Sequence, residues 1–237
     1  MLEKAIQKIV ALAENKTYEI DGQTYSDHAL VHIPKKYDSP GLFELAGLDG
    51  IVKVVKTEIG RLNAPLIVRV TSPTYVDVFT TYREDMHRDR AYMARAEVPG
   101  FADGYCDHME TIIRLRSRFA ANDGQGYLLK LLSRMNMEQD ATTTDNGVTQ
   151  TVTARQGISL NQLEVVKPIV KLRPYRTFLE VEQPESEFLL RIDDKGRVGL
   201  FEADGGAWKL QAKQNVLAYI EANLADEVAA GRVVVTM

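Results

Sequence analysis

The side chains able to do chemistry fall into small, separate groups. His28 and His32 stand four residues apart, a spacing at which two imidazoles share one helical face and can bind a metal. Their run, ALVHIPKK, continues into Pro34, which favours extended chain. No acidic residue sits between them in the HExxH manner, so surface or strand histidines are expected. Asp85, His87 and Asp89 alternate in a charged turn, YREDMHRDR. Cys106, Asp107 and His108 form a second cluster. Joined in space, the two would make a mixed oxygen and nitrogen metal site or a Cys–His nucleophile pair. Nothing in the sequence joins them. His108 falls on the apolar face of its helix. Cys106 precedes that helix, where a thiol pKa can be lowered, but a lone cysteine is more commonly a small buried hydrophobe.

Glu180 and Glu182 lie two apart on a predicted strand and share its face. Glu202 and Asp204 repeat the arrangement. Such pairs either hold Mg²⁺ for phosphoryl chemistry or cover a solvated sheet face, and the second is preferred. Asp204-Gly205-Gly206 leads from a strand into a helix and offers backbone N–H groups to a phosphate. It lacks the GxGxxG and P-loop spacings, so a plain turn is expected. No catalytic residue, metal ligand or cofactor is assigned.

Two segments are basic. Lys167, Lys171, Arg173 and Arg176 occur with no acid between them, and Tyr175 and Phe178 lie close by. That combination suits phosphate contact with base stacking. Arg114, Arg116, Arg118, Lys130 and Arg134 form the second group. The net charge of −4 excludes a surface built throughout to coat nucleic acid, while leaving a local basic surface open.

These groups must be positioned by a chain of 237 residues, 45% hydrophobic and 26% charged, enough for one large domain or two small ones. A division into 1–63 and 64–237 is expected. One cysteine excludes an internal disulfide framework. No window is apolar enough to span a membrane. The amphipathic start, MLEKAIQKIVALAENK, is not that of a signal peptide. The cytoplasm is the expected compartment.

Leu2, Ala5, Ile6, Ile9 and Ala13 form one helical stripe. TYEIDGQTYS at 17–26 predicts a tight hairpin, with Asp21-Gly22 in a type I′ turn. Residues 41–62 predict a long helix, Ser39 capping it and Pro40 in its first turn. Gly47 and Gly50 weaken its start, leaving 48–62 as its firm part. Strands are predicted at 66–72 and 74–82, with Pro73 at a bend and 91–99 as partner. Helices at 105–121 and 126–137 form a hairpin across Asn122-Asp123-Gly124, with Tyr105, His108, Met109, Ile112, Leu115 and Phe119 on one face of the first. Strands at 162–172, 175–182, 187–193 and 197–203, a helix from 207 to about 224 and a terminal strand complete an α+β pattern with mainly antiparallel sheets.

Residues 140–157, DATTTDNGVTQTVTARQG, are threonine-rich and turn at Asn146-Gly147. Like the 17–26 hairpin, this ribbon has few side chains with which to bury itself against its own domain. Arms exchanged between subunits have that character. Thr142, Thr143, Thr144, Asn146, Gly147, Thr149 and Thr151, with Asp21 and Gly22, are therefore the candidate oligomer interface.

LRPYRTFLEVEQPESEFLLRI at 172–192 and GLFEADGGAW at 199–208 resemble the C-terminal signature of an uncharacterised family of phages and prophages, the family that includes the YfdQ protein. The likeness covers most of the chain from about residue 64. It lies at Arg173, Pro174, Tyr175, Arg176, Glu182, Gln183, Pro184 and Asp204 to Trp208. It implies a phage or prophage gene of the accessory set and carries over no activity. The resulting expectation is a non-enzymatic, self-associating accessory protein, in its extended form a large assembly with a capsid-like shell fold. A nucleic-acid-associated factor for recombination or anti-defence is the first alternative, with Lys167, Lys171, Arg173 and Arg176 as its contacts. A metal-dependent enzyme acting on phosphates is the second. The expected partner is a second copy of the chain, with nucleic acid as the alternative.

Overall fold

A computed structural model describes residues 2–13, 16–26, 32–33, 41–60, 65–135, 142–145, 150–155, 161–193 and 195–237. The chain divides into two units, Met1–Pro40 and Gly41–Met237. The first holds helix α1 (Leu2–Ala13) and strands β1 (Thr17–Ile20), β2 (Gln23–Ser26) and β3 (His32–Ile33), an antiparallel sheet in the order β1-β2-β3. Asp21 at φ 52° and Gly22 at φ 74° both take the positive φ of the turn the sequence predicts.

In the second unit, the first sheet is ordered β16-β5-β6-β7-β4, from β4 (Phe43–Leu45), β5 (Leu66–Ser72), β6 (Tyr75–Phe79), β7 (Arg90–Arg95) and β16 (Val233–Thr236). Helices α2 (Leu48–Glu58) and α5 (Trp208–Asn223) close its core. Leu66, Val68 and Val70 alternate inward along β5 and meet Ile51 and Val55 of α2 and Val216 and Ile220 of α5. A short α6 (Ala225–Ala229) leads into β16, which runs parallel to β5.

The second sheet is antiparallel, ordered β8-β15-β14-β13-β9, from β8 (Gly104–Cys106), β9 (Phe119–Ala120), β13 (Ile169–Pro174), β14 (Ser186–Ile192) and β15 (Val198–Glu202). Helices α3 (His108–Arg118) and α4 (Asp123–Met135) supply Leu115, Leu128, Leu131 and Leu132 to its core. A third sheet, β10-β11-β12, joins Thr142–Asp145, Gln150–Arg155 and Asn161–Val166. The ribbon thus pairs along one edge with β12 of its own chain, six register pairs long.

The structure corrects four details. The long helix starts at Leu48, not 41. Phe43–Leu45 instead pairs in parallel with β7, whose sequence distance gives no local signal. Ser39 and Pro40 lie outside the described residues. The core residues of α2 belong with β5 and β6, so the chain divides after residue 40 rather than 63. Met109 is 48% exposed and turns away from the core, because Thr111 and Leu115 take the inward face. Finally, 175–182 is a loop. Pro174 ends β13, and the Gln183 side chain serves the backbone that a partner strand would have served. Its Oε1 accepts from the N–H groups of Arg176 and Thr177, and its Nε2 donates to Phe178 O and Val181 O.

Candidate functional site

That loop, held between β13 and β14, carries a dense polar network. Pro174 and Pro184 bracket it, and Phe178 at 1% exposure pins it into the first core. Its centre is Arg176, 5% exposed. The guanidinium pairs with Glu202, donates to Ser186 Oγ, and lies 3.9 Å from the centre of the Trp208 ring. Ser186 Oγ–H in turn donates to Asp204 Oδ2 at 2.5 Å. Asp204 Oδ1 accepts the N–H of Gly206 at 2.9 Å and so holds the turn that starts α5. Gly205 and Gly206, at φ 62° and 82°, supply the left-handed backbone that turn requires. Burial alone would raise the Asp204 pKa. Hydrogen bonds from Ser186, Gly206 and Trp208, with the charge of Arg176, outweigh it and hold the carboxyl below its ordinary value. Burial also pulls the Arg176 pKa down, against the opposing pull of Glu202 and Asp204.

A second layer ties the loop to both sheets. Thr177 donates to Pro73 O at 2.5 Å. Arg173 pairs with Glu182 at 2.6 Å and with Glu185 at 3.6 Å. Glu180 reaches across the sequence to accept the Leu48 N–H at 2.8 Å, taking the N-terminal capping role on α2. Gly47 leaves room for it, since a Cβ there would lie 2.3 Å from Glu180 Oε1. A Cβ on Gly124 would meet Lys171 O at 1.9 Å, so the start of α4 can lie against β13 only with glycine there.

Tyr219 of α5 donates to Asp49 of α2. That hydrogen bond, with burial and the charges of Asp49 and Glu180, raises the phenol pKa to about 12. A folded pKa above the ordinary value of 10 means stability that is whole below pH 10 and drains away as pH rises towards 12. Tyr219→Phe is expected to lower stability by about 0.5–1.5 kcal/mol at neutral pH and to flatten this alkaline loss. Urea unfolding at a series of pH values checks both.

The other sequence candidates are dispersed. Arg83 bridges Asp85 at 2.9 Å and Asp89 at 2.8 Å, so these carboxylates close the β6–β7 loop rather than a metal site. Asp107 caps α3 by accepting the Glu110 N–H at 2.8 Å. Among the described residues, no group of three or more His, Cys, Asp or Glu is placed to hold a metal. His28 lies outside the described residues, and His32 pairs with Tyr25 on β2. Glu180, Glu182, Glu202 and Asp204 do not act as paired carboxylates, since each is committed to a different structural partner.

Of the basic segment, Arg176 is buried and Arg173 is paired, which corrects their expected place on an open phosphate-binding surface. Lys167 lies 5.0 Å from the Tyr127 ring centre, and Lys171 is exposed. Of the expected interface, Asp21 and Gly22 form the first hairpin turn. Thr142, Thr143 and Thr144 lie on β10 and Thr151 on β11. Asn146, Gly147 and Thr149 lie outside the described residues.

Comparison with protein-family models, curated proteins and solved structures gave no match. Function therefore rests on the molecule itself. No helix among the described residues is long and apolar enough to cross a membrane. Sequence reasoning found the apolar stripe on α1 but did not single it out as an exposed face. The signal was there: Leu2, Ile6 and Ile9 share one face, and these residues are 78%, 52% and 66% exposed.

Proposed function

We propose that this protein is a non-enzymatic, self-associating accessory protein of a phage or prophage, and that its N-terminal unit docks onto another copy. The observation that carries this reading is in Met1–Pro40: among its described residues, no side chain whose burial is described is buried. A 12-residue helix is marginal in water without tertiary packing, and so is a small sheet without a covered apolar face. Both need a partner, and symmetric association with a second copy is the commonest way to supply one. The resemblance of 172–192 and 199–208 is what supports the phage origin, and a shell-like particle is the extended form of the proposal. Sedimentation of the purified chain tests it. A mass above that of one 26.6 kDa chain supports it, and a monomer at tens of micromolar removes it.

A second reading has its own observation. Arg116, Arg118 and Lys130 are exposed and make no ion pair among the described residues. Nucleic-acid association would use these cations rather than Arg173 and Arg176. It predicts salt-sensitive binding that weakens several-fold when all three become alanine. Titration of a labelled single strand at low salt decides it, and no binding there ends this reading.

A further inference from the structure

Helices α2 and α5 both pack on the face of the first sheet that carries Val68, Val76 and Val78. Strand alternation puts Arg69, Tyr75, Asp77, Phe79 and Arg95 on the opposite face. There Arg69 stands across from Asp77, and Tyr75 across from Arg95. Arg90 stands across from Phe79 and reaches over to Asp77. Asp77 is buried. Thr71 donates to it at 2.6 Å, and Arg69 and Arg90 lie 3.6 and 3.4 Å from its two oxygens in turn. The Arg69 guanidinium also lies 4.8 Å from the centre of the Phe79 ring, and that of Arg95 lies 5.5 Å from the centre of the Tyr75 ring. Arg95 is exposed and makes no ion pair among the described residues.

Burying a carboxylate costs stability unless it is paired. Asp77 sets one charge against two arginines, so it fixes them in place without neutralising the face. With Arg95, three guanidiniums stand against one carboxylate on β5, β6 and β7. Glu44 of β4 and Glu97 past the end of β7 line a hollow with Arg95 and mark the acidic border of this surface. An arginine laid against a ring keeps its N–H edge for a phosphate, and rings and guanidinium planes both stack on bases. Tyr75 and Phe79 are partly exposed and four residues apart on β6, about 13 Å of strand. One nucleotide cannot cover both rings, whereas an extended chain can. We propose that this sheet face binds single-stranded nucleic acid, with phosphates at Arg69, Arg90 and Arg95 and bases stacked along Tyr75 and Phe79. A duplex keeps its bases inside and meets only the arginines, and an acidic peptide answers the charge but leaves the rings unused. The surface shares no residue with α1 or with the cations of α3 and α4, so it stands apart from both readings above.

The full chain is titrated into end-labelled oligothymidylate and oligouridylate at low salt and followed by fluorescence anisotropy. Saturable binding by either oligomer is expected, and the ratio of the two assigns the sugar. Its logarithm should fall against the logarithm of salt with a slope of about −2, from roughly 0.7 for each of three phosphate contacts. Arg95→Ala and Tyr75→Leu are each expected to weaken binding about fivefold or more, with thermal midpoints unchanged, while Tyr75→Phe keeps the ring and binds like the natural chain. The proposal is overturned by no saturable binding of either oligomer, by Arg95→Ala and Tyr75→Leu variants that bind as tightly as the natural chain, or by a duplex or polyglutamate that binds equally well. Binding that is lost when Arg116, Arg118 and Lys130 become alanine, and is untouched by the sheet variants, also overturns it and favours the α3 and α4 surface instead.

Discussion

Arg176→Met is expected to destabilise the protein by about 3–5 kcal/mol, the range for removing one partner from a buried ion pair. The size follows from what is left behind. Glu202 and Ser186 bond the guanidinium directly and Asp204 stands behind Ser186, so without it the buried Ser186 loses a donor and two neighbouring carboxylates lose the charge that offsets them. The indole of Trp208 also loses the cation stacked on it, worth up to about 2 kcal/mol when desolvated. By contrast, Arg116→Met on the exposed face of α3 should change stability by about 0.5 kcal/mol or less. Chemical denaturation of the two variants separates these outcomes, and equal midpoints would show that Arg176 is a surface cation after all. The same network sets an acid limit. Because the Asp204 pKa is held down in the fold, its contribution is complete above the ordinary carboxylate pKa and is lost as pH falls through the folded value. Arg176→Met removes one of the causes of that depression, so it should shrink the acid-side loss as well as the total stability.

Ile6→Asp combined with Ile9→Asp is expected to weaken self-association about 100-fold or more, leaving the body intact. Each change puts a carboxylate where an aliphatic side chain would be covered by the neighbouring copy. Losing the burial of two such side chains corresponds to about 3–6 kcal/mol at the contact, before any cost of desolvating the new charges. Within the free chain the same substitutions should be nearly silent, because Ile6 and Ile9 are 52% and 66% exposed. Thermal unfolding of the double variant measured at low concentration checks that silence. A large drop in melting temperature there would mean that α1 is held by its own chain.

The parts of the fold that were legible in the sequence are those whose signal is local. Asp21-Gly22 announces its turn because few other residues tolerate positive φ at both positions. Val68 and Val70 alternate with polar neighbours, and Ala212, Val216 and Ile220 recur at helical spacing, so β5 and α5 follow from periodicity alone. The features that were missed depend on residues far away in the chain. The start of α2 is set by Glu180, 132 positions along, and β4 is defined by its parallel partner β7. The loop at 175–185 is rich in β-prone residues, yet one side chain, Gln183, takes up the backbone groups that would have made it a strand. The candidate site was legible as two unusual strings but not as a network. Counting charges around Arg176 gives a basic patch. Only the fold brings Glu202 and Asp204 from 26 and 28 positions downstream to neutralise it.

Sedimentation equilibrium of the full chain over a range from about 1 to 100 micromolar, a span that brackets micromolar dissociation constants, tests the central claim most directly. Self-association through α1 gives a mass that rises with concentration to at least twice 26.6 kDa for the natural chain and stays at one chain for the Ile6→Asp, Ile9→Asp variant. A natural chain that sediments as a single 26.6 kDa species across the whole range would contradict it.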